Sequence, residues 1–229
     1  MFGIDSVVTN TFFAYLFILK HAKLAHHTEQ CAICTNIRGV EKVTFFISDL
    51  HFGHKNCLAY DNREFPTIEA HDEALIERWN SAVGIHDDVW ILGDISWYPA
   101  MKTIEIFKRL NGTKHLCVGN HDKKLLRNQD VRNLFAEIVD YKEIQLDEKR
   151  GIVLCHYPIP CYNHHYYGWY HLYGHVHTSF EWNMMKQVQY EMRNLYDKPS
   201  NMFNVGCMVP GMDYTPRTLE EILTLYDEK

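Results

Sequence analysis

The chain has 229 residues, 46% of them hydrophobic and 14% aromatic, enough apolar material for one large domain or two small ones with a sizeable core. A net charge of −6 argues against a broad duplex-binding face, which is built from clustered Lys and Arg. Seven scattered cysteines, an odd number, suit a reducing cytoplasm, whereas fifteen histidines are an unusual supply of metal-ligand side chains.

Residues 1–40 read as an N-terminal extension and 41–229 as the main domain. The apolar run from Thr11 to Leu19 is far short of the roughly 20 residues a membrane span needs, and no basic stretch precedes it, so neither an anchor nor a secretory signal is expected. Cys31 and Cys34 have metal or redox spacing, but no second cysteine pair follows. Val43 to Ser48 is a β-branched and aromatic run that reads as a buried strand and ends in Asp49, His51 and His54. A polar loop from Tyr60 to Pro66 leads to a helix starting near Thr67, whose apolar face is Ile68, Leu75, Ile76, Trp79 and Val83.

The pattern then repeats: a strand from Val89 to Leu92, a helix marked by Ile104, Phe107 and Leu110, a turn at Asn111 and Gly112, and a strand at Leu116 to Val118. This alternation argues for right-handed crossovers in a mainly parallel sheet. A basic helix is expected from Asp122 to Phe135, and an antiparallel hairpin from Ile138 to Cys155 marks a second sheet. The stretch from Tyr162 to Tyr170 is a loop dense in aromatic and imidazole groups. A polar linker, a short strand near Phe203 and a closing helix or strand from Thr218 to Leu225 complete the chain.

Five strand ends carry Asp49-Leu50-His51, Gly93-Asp94, Gly119-Asn120-His121-Asp122, His156 and Gly174-His175-Val176-His177. Taken singly, each group has an ordinary structural explanation as a helix cap or turn residue. Packing offers no reason for all five at once. In an open α/β sheet the carboxyl ends of strands face the ligand crevice, and mixed carboxylate, carboxamide and imidazole donors suit Mn²⁺, Fe²⁺ or Zn²⁺.

The series, in this order, resembles the calcineurin-like metallophosphoesterase superfamily over about residues 43–206, and the stretch from Ser48 to Asn56 resembles its small bacterial and phage members. The resemblance implies an α/β fold of two mixed β-sheets packed face to face as a sandwich flanked by helices. It implies two divalent metal ions, with Mn²⁺ the first expectation and Fe, Zn or Ni the alternatives. Asp49, His51 and His177 would hold one ion, Asn120, His156 and His175 the other, and Asp94 would bridge them. A metal-bridging hydroxide would attack phosphorus, His121 would stabilise charge or protonate the leaving oxygen, and Asp122 would orient His121. The substrate expected is a small phosphomonoester or phosphodiester of nucleotide type, touched by His54 and Asn56 on the first loop.

Lys123, Lys124 and Arg127 read as the solvated face of a helix more readily than as phosphate ligands. Trp97, Tyr98 and the aromatic loop are open between packing and stacking on a base. The rival readings are a phosphoprotein phosphatase or nuclease, and a non-catalytic, metal-stabilised scaffold. The sequence is silent on oligomeric state and names no membrane partner.

Overall fold

A computed structural model describes residues 42–227. The N-terminal extension, with Cys31, Cys34 and the apolar run at 11–19, lies outside the described residues.

Strand β1 (Thr44–Ile47) is buried along its whole length and sits inside a five-stranded sheet of order β4-β3-β2-β1-β9. On one side of it β2 (Asp88–Ile91), β3 (Thr113–Cys117) and β4 (Phe135–Val139) follow, each parallel to the strand before, and on the other β9 (Arg217–Thr218) runs antiparallel to β1. Parallel strands need crossovers. The one from β1 to β2 carries the short helix α1 (Cys57–Tyr60) and then α2 (Ile68–Ala82). Thr67 caps α2 by accepting a hydrogen bond from the Ala70 N–H at 3.2 Å, and Ile68, Leu75, Ile76 and Trp79 are buried, as the 3.6-residue spacing predicts. Helix α3 (Ala100–Phe107) makes the second crossover.

The expected hairpin is present as β5 (Tyr141–Gln145) antiparallel to β6 (Gly151–Cys155), and it opens the second sheet. β7 (Tyr170–Tyr173) and β8 (Asn201–Asn204) extend that sheet in parallel, in the order β5-β6-β7-β8. Both sheets are therefore mixed. Ile47, Ile91 and Leu116 of the first pack in one apolar cluster with Ile152, Leu154, Leu172 and Phe203 of the second. Along the seam the Ser48 N–H donates to the Val205 carbonyl at 2.9 Å and the Cys207 N–H to the Ser48 carbonyl at 2.8 Å. No helix among the described residues is long and apolar enough to cross a membrane.

One expectation is corrected. The basic helix from Asp122 to Phe135 is instead a single 3₁₀ turn (Leu125–Arg127) and a short helix α4 (Gln129–Arg132). Asn128 separates them, because its extended backbone and its side chain, which accepts from the Asp130 and Val131 N–H groups, start a new helix. Helix α5 (Phe180–Asn194), capped by Ser179, was not anticipated; none of its residues is fully buried, and its inward stripe of Trp182, Met185, Val188 and Met192 is only partly covered. The closing segment is strand and helix in turn, β9 followed by α6 (Leu219–Asp227). Within the aromatic loop, Tyr162 and Trp169 are core residues, packed with Val153, Tyr173, Val176 and Met202.

Candidate metal centre

The carboxyl ends of β1, β2 and β3 supply Asp49 and His51, Asp94 and Asn120, and the ends of β6 and β7 supply His156, His175 and His177. Ligand-type atoms of Asp49, His51 and His177 converge as one group and those of Asp49, Asp94 and His156 as another. The Nε2 atoms of His51 and His177 are 3.0 Å apart and lie 3.8 and 3.4 Å from Asp49 Oδ1. Asp94 faces both ways, with Oδ2 3.9 Å from His51 Nε2 and Oδ1 3.7 Å from His156 Nε2. Asn120 Oδ1 completes the second side, 3.0 Å from both His156 Nε2 and His175 Nδ1.

The backbone is bent to reach this arrangement. Asp49, His51, Asp94, His175 and His177 all have φ between 47° and 68°, the left-handed region that non-glycine residues seldom occupy and that clusters at functional sites. Two glycines of the motifs serve close approach. A Cβ on Gly174 would lie 2.0 Å from Ser48 Oγ and 2.4 Å from Asp49 Oδ2, and one on Gly119 would lie 2.3 Å from Asp94 Oδ1.

The donor set fits a cation. A carboxylate or carbonyl oxygen only accepts, so Nδ1 of His177 donates to Asp61 Oδ1 at 2.6 Å and Nδ1 of His156 to the Leu92 carbonyl at 2.6 Å. In neutral imidazoles both Nε2 atoms then carry lone pairs, and these face Asp49, Asp94 and Asn120 oxygens with no proton between them. Such a cavity is filled by protons or by a metal ion. Without metal, burial and the neighbouring Asp49 push the Asp94 carboxyl up to about 7, against the pull of His156. Burial opposes a charge on His177, but hydrogen bonds to Asp49 and Asp61 overcome it and raise its pKa to about 10. Asp49 is held well below the usual carboxylate range because the His177 hydrogen bond and the surrounding imidazoles outweigh its complete burial.

His121 stands at the mouth, its side chain 47% exposed and its Nε2 4.0 Å from Asp94 Oδ2. Its backbone N–H donates to Asp94 Oδ1 at 3.0 Å. The Asp122 carboxylate is fully buried and accepts from the backbone N–H groups of Asp94, Ile95 and Gly119 at 2.8–2.9 Å, with no hydrogen bond to the His121 ring among the described residues. Its hydrogen bonds brace the loop carrying Asp94, and its influence on His121 is by charge rather than by a hydrogen bond. His54 stacks on Trp97 at 4.0 Å and 11°, and Trp97 contacts the His121 ring at 4.2 Å. Asn56 is exposed at the start of α1 and makes no hydrogen bond to the cluster among the described residues.

Residues missed by the sequence reading support the cluster from outside. Arg63, 3% exposed, donates to Asp61 Oδ2 at 2.8–2.9 Å and to the carbonyls of Asp49 and Leu50 at 3.1 and 3.3 Å. It thus fixes both the loop that presents Asp49 and the carboxylate that holds His177. Tyr157, beside His156, packs against the His175 ring at 4.7 Å. A charged Asp-x-Arg pair in a short loop after the first motif was the available signal.

No family model matches the chain. Over 140 residues it is 33% identical to the uncharacterized protein MJ1445 of Methanocaldococcus jannaschii, covering 59% of this chain and 69% of that one. It is 40% identical over 94 residues to the Gene 66 protein of Mycobacterium phage L5, a match that spans 40% of this chain and under half, 45%, of the phage protein. Among solved structures, the protein of unknown function AQ665 from Aquifex aeolicus superposes with a TM-score of 0.54 at 23% identity, covering 80% of this chain and 99% of that one, a likeness of fold. The nuclease MPE of Pseudomonas putida superposes at a TM-score of only 0.36 and 22% identity, over 58% of this chain and 60% of that one.

Proposed function

We propose that this chain, which belongs to the same family as the archaeal protein MJ1445, is a metal-dependent phosphoester hydrolase of the calcineurin-like metallophosphoesterase kind. The observation that carries the reading is Asp94: one buried carboxylate shared between an Asp49, His51, His177 side and an Asn120, His156, His175 side, a division suited to two ions. Mn²⁺ is the ion we expect, since its hard and borderline donor preference matches this mixed set.

Bound ions would supply Lewis-acid chemistry, polarising a phosphoryl oxygen and acidifying coordinated water. The chain's own contribution is positioning. Asp61 and the Leu92 carbonyl fix which nitrogens of His177 and His156 face inward. Asp122 and the Gly119 approach fix Asp94. His121 is left over by this division of donors. Burial and the nearby imidazoles lower its pKa, so near neutral pH it presents a ring N–H, and through it a hydrogen bond, to a substrate oxygen at the mouth.

The test is a hydrolysis screen of the Mn²⁺-loaded protein on a phosphomonoester, an acyclic diester and cyclic nucleotides. We expect turnover of at least one class in the wild type and none in Asp94→Asn, which should also hold less metal by elemental analysis. Full metal occupancy without turnover on any class would favour the scaffold reading.

A further inference from the structure

Beside the cluster lies a cavity of ≈ 780 Å³, lined among others by Trp97, Tyr98, His121, Lys123, Lys124 and Arg127, with Asn120 at its inner edge. Three features set it apart. No Asp or Glu lines it. Lys123, Lys124 and Arg127 form no ion pair among the described residues, as is true of Lys55, Lys149 and other exposed cations, but they alone come together on the wall of this cavity. Finally, the segment after His121 is a turn rather than a helix, so the three cations are not the outer face of a helix but lie along one wall with the His121 ring. In a chain of net charge −6, a carboxylate-free wall of three unpaired cations is a local inversion of sign.

Lys and Arg without internal partners in a cleft attract phosphate oxygens. The volume admits a group the size of one nucleotide, within the 300–1,000 Å³ usual for ligand sites. Trp97 and Tyr98 supply apolar wall, although Trp97 is already engaged by His54 and His121 and serves to hold His121 at the rim. We propose that this cavity is a subsite for a nucleotide-sized group bearing its own phosphate, so that the substrate is a nucleotide carrying more than one phosphate. The ester to be broken sits at the Asp94–His121 edge and the second phosphate against Lys123, Lys124 and Arg127. This rests on the hydrolase reading of the neighbouring cluster. The three cations are exposed, as a solvated face requires, but that face lines the cavity rather than the outside of a helix.

The experiment is equilibrium binding of α,β-methylene adenosine 5′-diphosphate, which cannot be cleaved between its phosphorus atoms, and of adenosine to the full Mn²⁺-loaded chain. The comparison is among wild type, Lys123→Glu with Lys124→Glu, and Lys149→Glu as an exposed charge control. The double reversal should weaken the diphosphate analogue on the order of tenfold or more relative to the control, and flatten its salt dependence, while adenosine changes less. Equal weakening by Lys149→Glu, or no weakening in the double variant, would overturn the subsite. A 5′-phosphorylated dinucleotide run alongside separates the two sources of a second phosphate: tighter binding than the analogue assigns a strand end, weaker binding a nucleoside polyphosphate. Hydrolysis of 4-nitrophenyl phosphate and of bis(4-nitrophenyl) phosphate by the wild type is measured separately, since absence of both would count against the hydrolase reading while the binding comparison still decides the cavity.

Discussion

At the level of single residues the division of labour is between groups that would touch a metal and groups that hold those groups. Asp61 belongs to the second kind. It is 5% exposed at the side chain, anchored by Arg63, and its only inward contact is the 2.6 Å hydrogen bond to His177 Nδ1. Loss of such an outer partner typically costs 10–100-fold in metal affinity, so Asp61→Ala should weaken Mn²⁺ binding by about that factor in a direct titration. Unchanged affinity would mean that His177 orients itself. His121 should behave oppositely: His121→Asn should keep metal content while turnover falls by roughly 10²–10⁴, less for esters with good leaving groups. These two residues also mark the limit of what the sequence shows. His121 was legible because it sits within four residues of an apolar run, inside a contiguous motif. Asp61 was not, because its meaning lies in a contact 116 residues away.

Among the elements, the contrast is between α2 and α5, both of fifteen residues. α2 announced itself through a cap and a clean apolar face, and Trp79 is its anchor, 1% exposed with its indole N–H donating to the Asn111 carbonyl at 3.0 Å. Trp79→Ala should cost about 3–5 kcal/mol of stability in denaturant unfolding. α5 has no buried residue, and Met184 and Tyr190 are 54% and 59% exposed, so Tyr190→Ser should change stability by no more than about 0.5 kcal/mol. A larger loss would show that α5 packs more tightly than its exposure indicates. The same difference bears on the sequence reading: α5 has a period too, Trp182, Met185, Val188 and Met192, but exposed apolar Met184 and Tyr190 interrupt it, whereas α2 buries its stripe and reads cleanly. Asp122 shows the complementary case, since its place in the chain suggested a role beside His121 and gave no sign of the three backbone hydrogen bonds by which it holds the neighbouring loop.

For the whole molecule the raised pKa values of Asp94 and His177 have the same sign. Asp94 ordinarily titrates near 4, so with a folded value of about 7 the folded state keeps a proton that the unfolded chain has released, and stability is lost as pH rises through 7. His177, raised to about 10, contributes stability that is complete below its unfolded value near 6.5 and is lost as pH climbs through 10. Below about pH 6.5 the histidines that burial keeps neutral, His51, His71 and His171 among them, act in the opposite sense, so chelated protein should lose melting temperature from about pH 7 upward, as His177 is carried toward its folded value. Divalent ions replace those protons, so the stabilisation by Mn²⁺ should be larger at pH 8 than at pH 5 in thermal unfolding, and an equal gain at both would contradict the assignment. Four of the ligand-type residues come from the first sheet and three from the second, and His51 and His177 lie 126 residues apart. The cysteines of the described residues are all free, so a bound ion would be the one cross-link between the sheets there, and it is one that scarcity of metal or a chelator can withdraw. Protein made when metal is scarce would carry an unfastened seam, be cut sooner by proteases, and so have a lifetime that reports metal supply.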